Sequence, residues 1–139
     1  MLRTLFTMLG FFVLECQAQP SLEVELALGR PHEGGSMRLA ICPNESAFEQ
    51  EKGCATRIVP ATGSLVQLSV AGLSPGLYAV KVFHDVNDNG KLDTNWMGIP
   101  NEPYGFSNDA MGTFGPPGFK EASFLVGEGR TTIRIKMKG

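Results

Sequence analysis

Thr131-Thr132-Ile133-Arg134-Ile135-Lys136-Met137, close to the C-terminus, alternates apolar and polar side chains from Ile133 onward. Successive side chains of an extended strand point to opposite faces, so Ile133, Ile135 and Met137 share one face and Arg134 and Lys136 the other. A helix would scatter both sets around its axis. The segment therefore reads as a strand with one face on a core and the other in water. The same period of two recurs in Leu22-Glu23-Val24-Glu25-Leu26. Met37–Ile41, Leu65–Val70, Tyr78–Phe83 and Phe119–Val126 share the strand composition, and in Tyr78–Phe83 Val80 and Val82 face away from Lys81 and Phe83. Turn residues separate the runs: Gly34-Gly35, Ala61-Thr62-Gly63, Ser74-Pro75-Gly76 and Gly127-Glu128-Gly129. The one helical signal is Glu45–Lys52, with Asn44 placed as its N-cap after Pro43. About seven short strands punctuated this way specify an all-β chain, an antiparallel two-sheet sandwich.

Composition agrees. The chain has 139 residues, with 42% hydrophobic and 19% charged, enough for one core and too few for two domains. Gly at 17 and Pro at 9 favour turns over long helices. Lys and Arg number 12 against 14 Asp and Glu, a net charge of −2, so no basic field draws nucleic acid. The alternating Arg134, Lys136 and Lys138 read as the solvated face of an edge strand.

The N-terminus carries an address. Arg3 precedes an apolar run from Leu5 to Leu14, and Cys16-Gln17-Ala18 puts small residues where a signal peptidase reads. The run is about half the length of a spanning helix, and no later stretch is long enough either. Residues 1–18 are thus expected to be a cleaved signal peptide and 19–139 a β-sandwich domain, exported to the periplasm or secreted. Glu15 before Cys16 fits poorly with a lipoprotein signal. Cleavage leaves two cysteines, Cys42 and Cys54, in a compartment where disulfides persist. A bridge between them is the expectation, and two separate thiols the alternative.

From Thr94 to Gly118 there is no strand or helix pattern, and a loop that long is usually functional or disordered. Trp96, Met97, Tyr104, Phe106, Met111 and Phe114 argue for an ordered loop whose aromatics bury themselves on the sandwich. Just before it stands His84-Asp85-Val86-Asn87-Asp88-Asn89-Gly90-Lys91-Leu92-Asp93. Asp85, Asn87, Asn89 and Asp93, with Gly90 sixth and the Lys91 carbonyl seventh, match the first nine positions of a calcium loop. A hard divalent cation takes six to eight oxygens, and alternate residues of a curled loop turn inward to supply them. The twelfth place is Trp96 where a bidentate glutamate belongs, so Glu102 or water would complete the shell. Residues 84–119 hold five acids against Lys91 alone. On this reading the acids repel, and removing Asp85 leaves the ion-free protein as stable or more so. The alternative is an Asx-rich turn that caps itself and binds nothing.

These residues carry a resemblance. The H-D-x-N-x-N-G-K-L-D run at 84–93 is followed by Gly98-Ile99-Pro100 with Glu102, Tyr104-Gly105-Phe106-Ser107-Asn108, and Gly115-Pro116-Pro117 with Phe119. In this order they resemble the bacterial domain-of-unknown-function 2141 family, from about Leu22 to Met137. The resemblance implies an exported sandwich of immunoglobulin or transthyretin type, and it brings no established activity. A looser similarity is to calcium-binding surface-adhesin repeats, which carry such loops after a G-x-Y strand, here Gly76-Leu77-Tyr78. Fold-level likeness transfers no function.

The histidines are His32 and His84, and no HExxH, GxSxG or CxxC occurs. His84 beside Asp85 could serve as a general base, and Asp93 with Glu102 as an acid pair for hydrolysis. A strand-end histidine held by a carbonyl is the plainer account. The expectation is a non-catalytic binding or structural module with a protein or carbohydrate partner at the cell envelope. The alternative is a small hydrolase, or a sugar or small-ligand binder, using the acidic-aromatic 84–108 region.

Overall fold

The computed structural model describes residues 10–139. The leader read at 1–18 lies partly outside them. Within them, residues 10–18 have no regular secondary structure, and Phe11, Phe12, Val13 and Leu14 are exposed.

Eight strands follow: β1 (Ser21–Ala27), β2 (Ser36–Cys42), β3 (Ala55–Pro60), β4 (Leu65–Ala71), β5 (Gly76–Asp85), β6 (Tyr104–Phe106), β7 (Phe124–Val126) and β8 (Arg130–Lys136). One sheet has the order β4-β1-β8, and the other β3-β2-β5-β6 with β7 also on β5. The two face each other as a sandwich. Leu22, Val24 and Leu26 from β1, Val66 and Val70 from β4 and Ile135 from β8 pack on Met37, Leu39, Ile41, Val80 and Val82 from the opposite sheet. The alternations in β1 and β8 thus predict the buried face correctly.

Pairing is antiparallel throughout except between β1 and β8, which run parallel, Val24 opposite Ile133. A parallel pair needs a long crossover, and here nearly the whole chain intervenes. No local pattern announces it. The other strand of the expectation that changes is Phe119–Val126. It divides into a one-turn helix α2 (Phe119–Ala122) and the short β7. β3 alternates in burial, but its sequence does not show it, because Arg57 stands on the half-buried side and Ile58, 60% exposed, on the outer side. Residues 94–118, expected to lack strands, contain β6.

The helix α1 (Glu45–Gln50) begins where the sequence places it, the Asn44 side chain accepting from Ala47 N at 2.8 Å. It stops two residues early, with Glu51 as its C-cap in the left-handed region (φ 56°). Cys42 and Cys54 are disulfide-bonded across it. α1 covers the outer face of β5. Phe48 meets Phe106 at 6.2 Å and Phe119 at 6.0 Å in tilted and edge-on contacts. This second cluster, with Cys42, Ala79 and Ala122, buries the face of β5 turned away from the main core. Gly105 sits where β6 crosses close to β8, and a Cβ there would lie 2.7 Å from Ile135 Cγ2.

Candidate functional site

β5 ends in two fully buried polar residues, His84 and Asp85, on opposite faces of the strand. His84 Nε2 lies 2.6 Å from the Gly34 carbonyl, and its backbone N–H donates to Pro103 O. Its Nδ1 is buried with no hydrogen-bond partner. The ring is held inside the fold, not presented to a substrate.

Asp85 starts the loop. Its Oδ1 accepts from Asn89 N at 3.1 Å, and its Oδ2 accepts from Gly90 N at 2.8 Å and from Arg38 Nε at 2.5 Å. Gly90, at φ 81°, provides the left-handed turn that aims these amides back at the carboxylate. Burial pushes the Asp85 carboxyl up, but the Gly90 amide, the Arg38 guanidinium and the Asn89 amide outweigh it and hold it below its ordinary value of 3.8. The expected benefit of removing Asp85 is therefore reversed. Arg38 neutralises this carboxylate, which anchors three donors and does not strain the loop.

The rest of the run satisfies itself. Asp93 accepts from Asn87 Nδ2 at 2.7 Å and Asn89 Nδ2 at 2.8 Å. Asn87 Oδ1 accepts from Asn89 N, and Asn89 Oδ1 from Lys91 N. Glu102 is buried, and its two oxygens take Val86 N and Asp93 N, each at 3.0 Å. It stitches both ends of the loop together. Asp88, left over by the sequence reading, accepts from Ser36 Oγ at 2.6 Å and ties the loop to β2. Among the described residues no three His, Cys, Asp or Glu side chains converge in a way that could hold a metal. Asp93 and Glu102 do meet, but through the Asp93 backbone amide.

This clamp carries a small hairpin. Thr94 and Pro100 bridge, Asn95 N donates to Ile99 O, and Asn101 N donates to Asp93 O. The Asn95 side chain caps the tip by accepting from Met97 N at 2.9 Å and Ile99 N at 3.0 Å. The apolar side chains are left outside: Trp96 is 91% exposed, and Met97 and Ile99 are exposed with it. The expectation that the loop aromatics bury themselves holds for Phe106 and partly for Tyr104, but fails for Trp96, Met97, Met111 and Phe114. At Trp96 and Met97 the reason is geometric. A tight two-stranded tip held by its own backbone bonds has no inner face on which to bury a side chain. Met111 and Phe114 lie beyond the hairpin, and nothing in the structure explains their exposure.

Arg38, Ser36 and Asn95 are the residues sequence reasoning missed. Arg38 reaches Asp85 only because β2 and β5 pair with Arg38 opposite Phe83, a register no local pattern discloses. An Asn two residues before Met97 and four before Ile99 is a readable turn signal. Asp85, Asn87, Asn89, Asp93 and Glu102 are brought into one network, as expected of neighbours, with the Lys91 amide as a further member.

No curated protein and no solved structure matches this chain. Residues 29–134 match a family described as an uncharacterized protein conserved in bacteria (DUF2141). That match spans the loop, its hairpin and seven of the eight strands in whole or large part, and on it the chain belongs to the bacterial DUF2141 family.

Proposed function

We propose that this chain is an exported, non-catalytic binding module whose contact surface is the 94–100 hairpin tip. The leader is removed after Ala18, and the Cys42–Cys54 bridge then works in an oxidising compartment. The observation that carries the reading is Trp96. A tryptophan 91% exposed on a hairpin braced by Asn95, Asp93 and Glu102 wastes its apolar area unless something covers it. Rigid aromatic anchors lose little entropy on docking, which is why they dominate interface energetics. Met97 and Ile99 beside it favour an apolar pocket on a protein over a sugar, which needs polar partners around a stacking ring.

The test is photo-crosslinking in expressing cells, with the crosslinker placed at residue 96 and, as control, at exposed residue 128. A discrete protein adduct from position 96 alone is expected. No adduct, or the same adducts from both positions, removes the reading; a saccharide adduct from 96 would turn it toward carbohydrate.

A second reading concerns the loop beneath the tip, for which we propose a weak calcium site. What supports it is the pair of amides, Asn87 and Asn89, converging on the Asp93 carboxylate. Turning both amides over places two oxygens beside that carboxylate, with the Lys91 carbonyl next in the run. Asp85 has one lone pair to offer while Arg38 is bound, and Glu102 contributes only by releasing its amides. With water completing the shell, affinity is on the order of 10⁻⁴ to 10⁻³ M. At about 1 mM calcium that adds roughly 0.4–1.4 kcal/mol to stability. Thermal unfolding in calcium against chelator measures it, with Asp93→Asn as the variant that loses the shift. No shift up to about 10 mM calcium leaves the loop as a self-capped turn.

A further inference from the structure

Sheets end in edges, and the two sheets here treat theirs differently. The free edge of β8 has its Lys136 amide taken by Asp109 Oδ1 at 2.8 Å, and exposed Arg130, Arg134 and Lys136 line its solvated face. β3 ends in Pro60 and carries Arg57. β6 and β7 are three residues each, and Tyr104 of β6 exchanges backbone bonds with Lys138. Charge, proline, brevity or a covering segment thus blunts each of these, the devices that keep sheet edges from pairing. β4 has none of them. Leu65-Val66-Gln67-Leu68-Ser69-Val70-Ala71 is seven residues long without a charge, proline or glycine, and among the described residues it pairs with β1 alone.

From this we infer that β4 is a self-association edge, pairing antiparallel with β4 of a second copy of this chain. Its sequence is self-complementary about Leu68. A two-fold axis at that residue sets Leu68 against the partner's Leu68, Val66 against the partner's Val70 and Gln67 against the partner's Ser69. All seven residues then pair. Val66, Leu68 and Val70 stay on the core side and Gln67 and Ser69 on the outer side, so each face meets its own kind. Leu68 gains most, since it packs on the core but is only half-buried, unlike Val66 and Val70. The charges paired with β4 in its own sheet, Glu23 and Glu25 on β1, already accept from Ser69 Oγ and Gln67 Nε2. They stand one strand back in each copy, about 14 Å apart across three strand spacings, beyond the screening length at physiological salt. Within the joined sheet no like charges meet. The product is a continuous six-stranded sheet closed by the two-fold axis.

Light scattering of the purified protein over a concentration series, into the millimolar range, tests this. The wild type should move from one to two chain masses. Gln67→Lys with Ser69→Lys sets lysine opposite lysine twice and should leave a folded monomer, its fold checked by circular dichroism. Gln67→Lys with Ser69→Glu sets lysine opposite glutamate twice in the same register and should restore the dimer. Three results overturn the inference. One is a wild type monomeric at every concentration, as expected if the edge serves a strand of another protein. Another is a dimer that survives the double lysine, and the third is a double charge swap that behaves like the double lysine.

Discussion

Replacing Asp85 by Asn keeps the shape of the side chain and removes its charge. In the wild type the carboxylate is fully buried and accepts from the Gly90 and Asn89 amides and the Arg38 guanidinium. A hydrogen bond to a charged group contributes about 1.5–3 kcal/mol. The substituted amide can still accept at its oxygen, but its NH₂ must face a donor. Arg38 is 26% exposed and can turn toward water, which limits the penalty of leaving it unpaired. The expected loss at neutral pH is about 3 kcal/mol, or roughly 9–15 °C of unfolding midpoint for a chain of this size. pH supplies the sharper test. The folded Asp85 carboxyl titrates below 3.8, so its contribution is present above that value and is lost as pH falls through the folded one. The gap between wild type and Asp85→Asn should therefore be constant from neutral pH down to about 5 and close under stronger acid. Urea unfolding of both proteins across that range measures it. A gap under about 0.5 kcal/mol at neutral pH, or one that widens in acid, refutes the assignment of Asp85 as a charged anchor.

Gly35 sits at φ 72°, and a Cβ there would overlap the Asp85 carbonyl oxygen, so Gly35→Ala should destabilise by more than about 2 kcal/mol in the same assay. Cys42 and Cys54 close a loop of sequence separation 12, and replacing both by Ala should cost about 3 kcal/mol. In intact mass the native protein should be two hydrogen atoms lighter before reduction than after. Trp96→Ser should change stability by less than about 0.5 kcal/mol, because the ring is almost wholly exposed, while abolishing any partner contact at the tip. A Trp96→Ser protein that unfolds early would mean that the ring packs on the fold.

What the sequence determined by itself is what repeats at short range. The period of two in Leu22–Leu26 and Thr131–Met137 identifies strands and their buried faces, because one residue's step along a strand reverses its side. Asn44 caps α1 through a bond that spans three residues, and the Asx spacing from Asp85 to Asp93 marks a curled loop, read there as an ion loop with a self-capped turn as the alternative. Tertiary structure decided the rest. The parallel β1–β8 pair, the Arg38–Asp85 ion pair and the Ser36–Asp88 tie join residues far apart in the chain, through registers set by how whole faces match in the core. Exposure followed the same division. Phe106 and Trp96 are both aromatics of one loop, yet one lies on a strand that backs onto Phe48 and the other on a hairpin tip. Hydrophobicity states how much a ring gains from burial, and only the surrounding surface determines whether there is anything to bury it against.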